Sequence, residues 1–235
     1  MTDPFNILGI IPARGGSKGI SRKNLVELAG KPLIAYTIEA GLGADRLSRL
    51  IVSTEDDEIA QAAAFLGADV PFKRPADLST DTAQSLEVVR HAITAMEKID
   101  DCTYHAVVML QPTTPLRTSR DIDAGIELFL ASGADSVVSV VDVGANHPYR
   151  MKRIDEDGRL VNFVDQGFED MRPRQELPPV YIRSGDLYIV RRHVVMELGT
   201  LVGQHSMPLV IPPDRAVNID TTSDLARATE LLSGM

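Results

Sequence analysis

The stretch that most restricts what this chain folds into is residues 7–24, ILGIIPARGGSKGISRKN. Its opening apolar run, Ile7, Leu8, Ile10 and Ile11, has the character of a strand buried on both faces. Pro12 closes that run, because proline has no N–H to give to a sheet. Gly15, Gly16 and Gly19 then let the backbone turn tightly and approach a ligand closely. Arg14, Lys18, Arg22 and Lys23 put four cations into the same loop with no acid among them, in a chain whose formal net charge is −9. Exposed backbone N–H groups with cations set between them make a site for a polyanion such as a nucleoside triphosphate. The plainer alternative is a tight turn whose cations face water. The spacing fits neither G-x-x-x-x-G-K-[ST] nor G-x-G-x-x-G, so neither of those phosphate-binding patterns applies.

The remaining totals narrow the class. A chain of 235 residues with 44% hydrophobic and 24% charged residues has the material for a large core, as one α/β domain or a domain with an insertion. Tryptophan is absent and aromatics are 5%, which removes the stacking platforms of single-stranded nucleic-acid binders. The acidic balance argues against a nucleic-acid or anionic membrane surface. One cysteine, Cys102, excludes an internal disulfide and fits a reducing compartment. The opening MTDPFN has no signal-peptide character and no apolar run is long enough to span a bilayer, so a cytoplasmic location is expected.

Along the chain, Pro32 opens a helix with Leu33, Ile34, Ile38 and Leu42 as its apolar positions. Residues 49–54 read as a strand, 58–66 as a helix ended by Gly67, and 70–73 as a short extended piece. Ser79 and Thr80 are the expected caps of a helix running to about residue 97, with Leu86, Val89, Ile93 and Met96 inward. A strand at 105–110 runs into QPTTPLR, Ser119 caps a helix to about residue 131, and 135–141 is another strand. This alternation predicts βαβ units and a mostly parallel sheet, with ligands beyond the carboxyl ends of the strands. From about Gly144 the texture changes to short strands at 149–154, 160–164, 180–183 and 187–190, broken by DEDG, a proline-rich turn and Ser184–Gly185. We therefore expect a main domain over 1–143 and 205–235, with an antiparallel insertion over 144–204. Residues 207–211 return to the main sheet and a last helix covers 222–232.

Two further segments carry chemistry. In AVNIDTTSD, Asp220 precedes a helix and shares a sheet edge with the basic loop, where a hard oxygen ligand beside phosphates suits Mg²⁺. Asp224, in the first helical turn, reads as a cap facing the helix dipole. In QPTTPLR, Gln111 and Arg117 lie in a loop stiffened by two prolines. Arg117 there is either a bidentate partner for a carboxylate or a water-facing arginine. Arg74, before Pro75, poses the same choice. The five histidines show no metal-ligand spacing, and no serine or cysteine nucleophile has a helper in view.

These segments together resemble the acylneuraminate cytidylyltransferases, the CMP-sialic acid synthetases, over almost the full length of the chain. IIPARGGSKGISRKN is similar to that family's nucleotide loop, KRPADLSTDTAQS to its base-recognition segment, LQPTTPLR to its sugar loop and NIDTTSDL to its metal motif. The resemblance implies a Rossmann-like α/β nucleotidyltransferase that joins CTP to a nine-carbon α-keto acid sugar and releases pyrophosphate. On it, Arg14, Gly15, Gly16, Ser17, Lys18, Lys23 and Asn24 cradle the triphosphate, with Lys23 the main charge stabiliser. Arg74 and Ser85 meet the cytidine, Gln111 and Arg117 belong to the sugar loop, and Asp220, with Asn218, holds Mg²⁺. It further implies a homodimer whose insertion reaches the neighbour's site, making Lys152, Arg174, Gln175 and Tyr181 candidates for sugar contact.

Two departures from the family pattern stand out. Asn218 replaces a second aspartate, and an amide is a weaker Mg²⁺ ligand. Arg183–Ser184–Gly185–Asp186 replaces the usual N-G-A, which points toward a legionaminic or pseudaminic type of sugar. The chain carries no extra domain after residue 235, so a single activity is expected. The alternatives are a cytidylyltransferase for the eight-carbon sugar KDO or for a methylerythritol phosphate, and a non-catalytic nucleotide-sugar sensor.

Overall fold

The apolar run at the start of the chain becomes β1 (Ile7–Pro12), the strand around which the sheet is built. In the computed structural model, which describes residues 5–234, Ile7 and Ile11 face one core while Leu8 and Ile10 face another. A strand with both faces covered in this way must be apolar throughout. Residues 1–4 of the N-terminal stretch, and residue 235, lie outside the described residues.

Past the glycine loop, β2 (Glu27–Leu28) and β3 (Lys31–Pro32) make a small hairpin that leads into α1 (Leu33–Leu42). Then come β4 (Arg49–Ser53), α2 (Asp57–Phe65), α3 (Ser85–Asp100), β5 (Ala106–Met109), α4 (Ser119–Ser132) and β6 (Ser136–Asp142). A hairpin of β7 (Lys152–Ile154) and β8 (Leu160–Asn162) follows, then β9 (Tyr181–Arg191), α5 (Arg192–Met196), β10 (Ser206–Val210) and α6 (Thr222–Ser233). The main sheet has six strands in the order β10-β6-β9-β5-β1-β4. Its pairings are parallel except those of β9, which runs antiparallel to both β5 and β6. Ile34, Ile38, Ile122, Ile126 and Phe129 of α1 and α4 cover one face. Val89, Ile93 and Met96 of α3, with Val194 and Val195 of α5, cover the other.

A third core positions the site. Ile20 of the glycine loop, Leu116 of the QPTTPLR loop, and Val217 and Ile219 before Asp220 pack together with Leu28, Leu33 and Ala228. Burying these side chains, at about 25 cal/mol per Å² of apolar surface, draws three separate loops to one edge of the sheet.

Several boundaries differ from expectation. Residues 180–183 and 187–190 are one continuous strand, β9, because Ser184–Gly185 forms an irregularity within the strand, opposite Val138 to Val140, and not a turn. That strand lies inside the main sheet, so the antiparallel excursion is narrower than 144–204 and consists of β7, β8 and the loops up to residue 180. Ser79 and Thr80 do not cap α3; they end a separate 3-10 turn, and α3 starts at Ser85 after an uncapped Gln84. The cap of α4 is Thr118, which shares a reciprocal capping box with Asp121. Residues 70–73 form no strand; isolated bridges join Asp69 to Ile51 and Lys73 to Thr54.

Candidate active site

Beyond the carboxyl ends of β1 and β5 lies an open cleft of about 380 Å³, in the size range of small-molecule sites. Arg14, Ser17, Lys18, Lys23, Asn24, Arg74, Ser85, Gln111, Asn218 and Asp220 all line it, so residues from four distant segments meet there. Gly15 and Gly16 belong to the same loop but do not line the cleft.

The glycine loop is held from several sides. Asn24, buried, donates from its amide to the Arg14 carbonyl at 2.8 Å. A Cβ on Gly19 would lie 2.2 Å from the Asp220 carbonyl oxygen, and one on Gly15 would lie 2.3 Å from an Asp56 carboxylate oxygen. The loop therefore needs glycine at 15 and 19 for its fit against the protein, whereas Gly16 faces open space. The Gly15 N–H is also taken: it donates to Glu55 Oε1 at 2.7 Å and is not free to face a phosphate.

Lys23 and Asp220 meet directly. The ammonium donates to Asp220 Oδ1 and to the Ile219 carbonyl, each at 2.9 Å. Asp220 takes a second bond at Oδ2 from the Asn218 amide at 2.9 Å. Asp224 accepts from the N–H groups of Asp220 and Thr221 and completes the capping box of α6, the structural role expected for it. The Ile219 N–H donates to the Thr113 carbonyl at 2.8 Å, which ties this segment to the QPTTPLR loop.

The loop's cations are divided. Arg14 and Lys18 both pair with Asp81, at 2.8 and 3.1 Å, and that pairing, Lys18 first, holds the Asp81 carboxyl below its ordinary value. Arg22 turns away to Asp56 and Glu58. Its hydrogen bond, outweighing burial, keeps the Asp56 carboxyl low, and Asp56 also caps α2.

Arg74 is buried and donates to Glu55 Oε2 at 2.7 Å and to the Ser79 hydroxyl at 3.0 Å. Burial pushes the Glu55 carboxyl up, but the Gly15 N–H and the Arg74 guanidinium outweigh it and leave it below its ordinary value. Sequence reasoning missed Glu55 and Asp81. The available signal for Glu55 is its place just after the strand that ends at Ser53, at the carboxyl edge of the sheet.

Arg117 differs from its expected place in the cleft. Its guanidinium is buried and donates to the Gln111 carbonyl, the Thr114 hydroxyl, the Asp186 carbonyl and the Thr37 hydroxyl. Burial lowers its pKa to about 10, with the nearby Asp186 charge opposing. Nor do Lys152, Arg174, Gln175 and Tyr181 line the cleft of their own chain. Lys152 pairs with Glu169 beside the β7–β8 hairpin, Arg174 lies 3.9 Å from Asp142, and Gln175 and Tyr181 are exposed.

Among the described residues no three His, Cys, Asp or Glu side chains form a metal cage. One carboxylate and one amide at the cleft rim do fit a cation that draws its remaining ligands from phosphate and water. Among the described residues no helix is long and apolar enough to cross a membrane.

The fold is similar to a solved CMP-2-keto-3-deoxy-manno-octonic acid synthetase complexed with CTP, with TM-score 0.71, 18% identity, and coverage of 97% of this chain and 99% of that one. The chain is 34% identical to the CMP-N,N'-diacetyllegionaminic acid synthase of Legionella pneumophila, covering 97% of both. It is 31% identical to the N-acylneuraminate cytidylyltransferase of Escherichia coli over 94% of this chain, which spans about half (51%) of that enzyme. The family model described as cytidylyltransferase matches residues 8–202, and on that match and these relatives the chain belongs to the cytidylyltransferase family of nucleotidyltransferases.

Proposed function

We propose that this protein transfers CMP from CTP to the anomeric hydroxyl of a nine-carbon α-keto acid sugar and releases pyrophosphate. The observation that carries the reading is the Lys23–Asp220 contact at 2.9 Å inside a cleft also lined by Arg14, Lys18, Arg74 and Gln111. It puts a cation for phosphate and an acid for metal or proton at one point. The sugar class is supported by the legionaminic and acylneuraminic enzymes among the relatives.

In this reading the triphosphate lies along the glycine loop, and Arg14, Lys18 and Lys23 exchange their carboxylate partners for phosphate oxygens. Charge that develops on the leaving pyrophosphate then meets fixed ammonium and guanidinium groups in place of reorienting water. Arg74, immobilised by Glu55 and Ser79, faces the base. Gln111 faces the sugar, and Asp220 accepts the proton of the attacking hydroxyl. Mg²⁺ held by Asp220 and Asn218, when bound, supplies positive charge to the phosphates.

The proposed assembly is a homodimer. Ile154, Leu160, Phe163, Phe168 and Met171 are 57–83% exposed around the β7–β8 hairpin. Apolar exposure on this scale in one excursion marks an interaction surface. A partner subunit covering it would receive Lys152, Arg174, Gln175 and Tyr181 near its own cleft. A cytoplasmic location accompanies this reading.

The test is pyrophosphate release from CTP with a panel of legionaminic, pseudaminic, N-acetylneuraminic and KDO acids, with and without Mg²⁺. Release with a nine-carbon acid and Mg²⁺ is expected, and Asp220→Asn should lower it by at least about 100-fold, as expected for loss of general acid–base help. Release with KDO alone would move the substrate to the eight-carbon class. The second reading, a nucleotide-sugar sensor, is favoured by Asn218 and predicts CTP binding with no release for any acid.

A further inference from the structure

A buried arginine without a direct carboxylate partner needs a reason, because removing a guanidinium from water is costly unless its donors are met. Arg117 is 4% exposed and its terminal nitrogens are used on three separate elements. Nη2 donates to the Thr37 hydroxyl of α1 at 2.6 Å. Nη1 donates to the Asp186 carbonyl of β9 at 2.6 Å, the Thr114 hydroxyl at 2.9 Å and the Gln111 carbonyl at 3.1 Å. Thr114 donates to that same Gln111 carbonyl at 3.0 Å. The Gln111 carbonyl thus accepts from Arg117, from Thr114 and, at 3.5 Å, from the Thr37 hydroxyl that Arg117 itself holds, and Gln111 lines the cleft.

The Gln111 side chain is set from the same side. Gly185 of β9, at φ +85°, lies so close that a Cβ there would come within 2.8 Å of Gln111 Oε1. Beside it the Asp186 carboxylate is buried with neither oxygen hydrogen-bonded, as is the Ser184 hydroxyl. Asp186 supplies attractive charge to Arg117 without contacting it as an ion pair. Arg117 Nε has no partner, so the guanidinium holds the Thr37 hydroxyl, the Asp186 carbonyl and the QPTTPLR loop through its terminal nitrogens alone.

We propose that Arg117 is a positioning residue for sugar recognition: it fixes the Gln111 main chain from below and acts on the sugar only through that residue. The proposal rests on the sugar-facing role of Gln111 given above. It assigns Arg117 no contact with substrate.

The test pairs Arg117→Lys, which keeps the charge but not the fork of donors, with Thr114→Val, which removes the Thr114 donor to the Gln111 carbonyl, and an acceptor of Arg117, at nearly constant volume. Both are expected to raise KM for the sugar at least about tenfold while KM for CTP stays within about twofold. In ¹⁵N spectra the Gln111 side-chain amide, assigned with Gln111→Glu, should broaden or split in both. If Arg117→Lys does not fold, Thr114→Val decides alone. A Thr114→Val protein with wild-type sugar KM and an unchanged Gln111 amide overturns the proposal. So does a parallel rise in both KM values, which marks general destabilisation. Failure of the underlying reading looks different: the wild-type protein then releases no pyrophosphate, while the Gln111 amide still reports whether Arg117 sets it.

Discussion

Glu55 gives one carboxylate oxygen to the Gly15 N–H of the glycine loop and the other to Arg74, so a single side chain ties that loop to a cleft-lining arginine. Hydrogen bonds to a charged group contribute about 1.5–3 kcal/mol each. Glu55→Gln keeps the shape but loses the charge, and one of its ends must offer N–H to a donor. We expect KM for CTP to rise about tenfold, KM for the sugar to hold, and circular dichroism to be unchanged. The folded-state pKa of Glu55 is depressed, so its contribution is present above the ordinary carboxylate value of 4.5 and is lost as pH falls through the folded value. The fall in CTP affinity through that acid window should therefore be smaller in the glutamine variant than in the wild type, measured by titration calorimetry at stepped pH. Asp81 gives the opposite sign. It occupies Arg14 and Lys18, which the nucleotide must reclaim. Asp81→Asn should tighten CTP binding by about two- to fivefold in titration calorimetry, an effect that shrinks with salt. Weaker binding would mean that Asp81 helps to hold the nucleotide. Lys23 and Asp220 were legible in the sequence because each lies in a motif with its own chemistry. Glu55 was not: an acid after a strand is most simply a helix cap, and its partners Gly15 and Arg74 lie 40 and 19 residues away.

Among elements, β9 was the hardest to read. Its sequence, YIRSGDLYIVR, contains a serine–glycine pair that by itself signals a turn. In the sheet that pair is an irregularity opposite Val138 to Val140, and it lets an antiparallel strand run between β5 and β6 while Gly185 meets Gln111. Pairing to strands some 50 and 80 residues away decides this, and local propensity carries no record of it. The helices were legible for the converse reason: Gly67 and Gly133 adopt positive φ at their ends, and apolar spacing marks their inner faces. Gly185→Ala tests the role of β9. At φ +85° an alanine costs about 1–2 kcal/mol, before any clash with the Gln111 amide. Thermal melting should shift down by a few degrees, about 2–4 °C per kcal/mol for a chain of this size. Sugar KM should rise with little change for CTP. A melting shift without that KM change would confine Gly185 to a backbone role.

At the scale of the molecule, the protomer has two features that do not fit each other. Its cleft gathers the nucleotide groups and Gln111, yet Lys152, Arg174, Gln175 and Tyr181 stand on a separate excursion with exposed apolar side chains around them. The excursion is visible in the sequence as a change of texture after Gly144, but in the proposed dimer the place of its polar residues depends on a second copy, which one chain's pattern does not encode. In the proposed two-fold dimer each excursion serves the other subunit's cleft, which resolves the mismatch. Complementation tests this directly. Lys23→Ala disables a cleft and leaves its excursion intact; Lys152→Ala does the reverse. Each variant alone should be nearly inactive. Co-expressed with separable tags, they form mixed dimers in which one cleft is whole and faces a whole excursion. With random pairing half of the dimers are mixed, each with one working site of two, so turnover should return to about a quarter of wild type. Sites completed within one chain would give no recovery, because every protomer then carries a lesion in its own site. Light scattering on the same samples, read against a protomer of 25.6 kDa, reports whether the dimer is present to begin with.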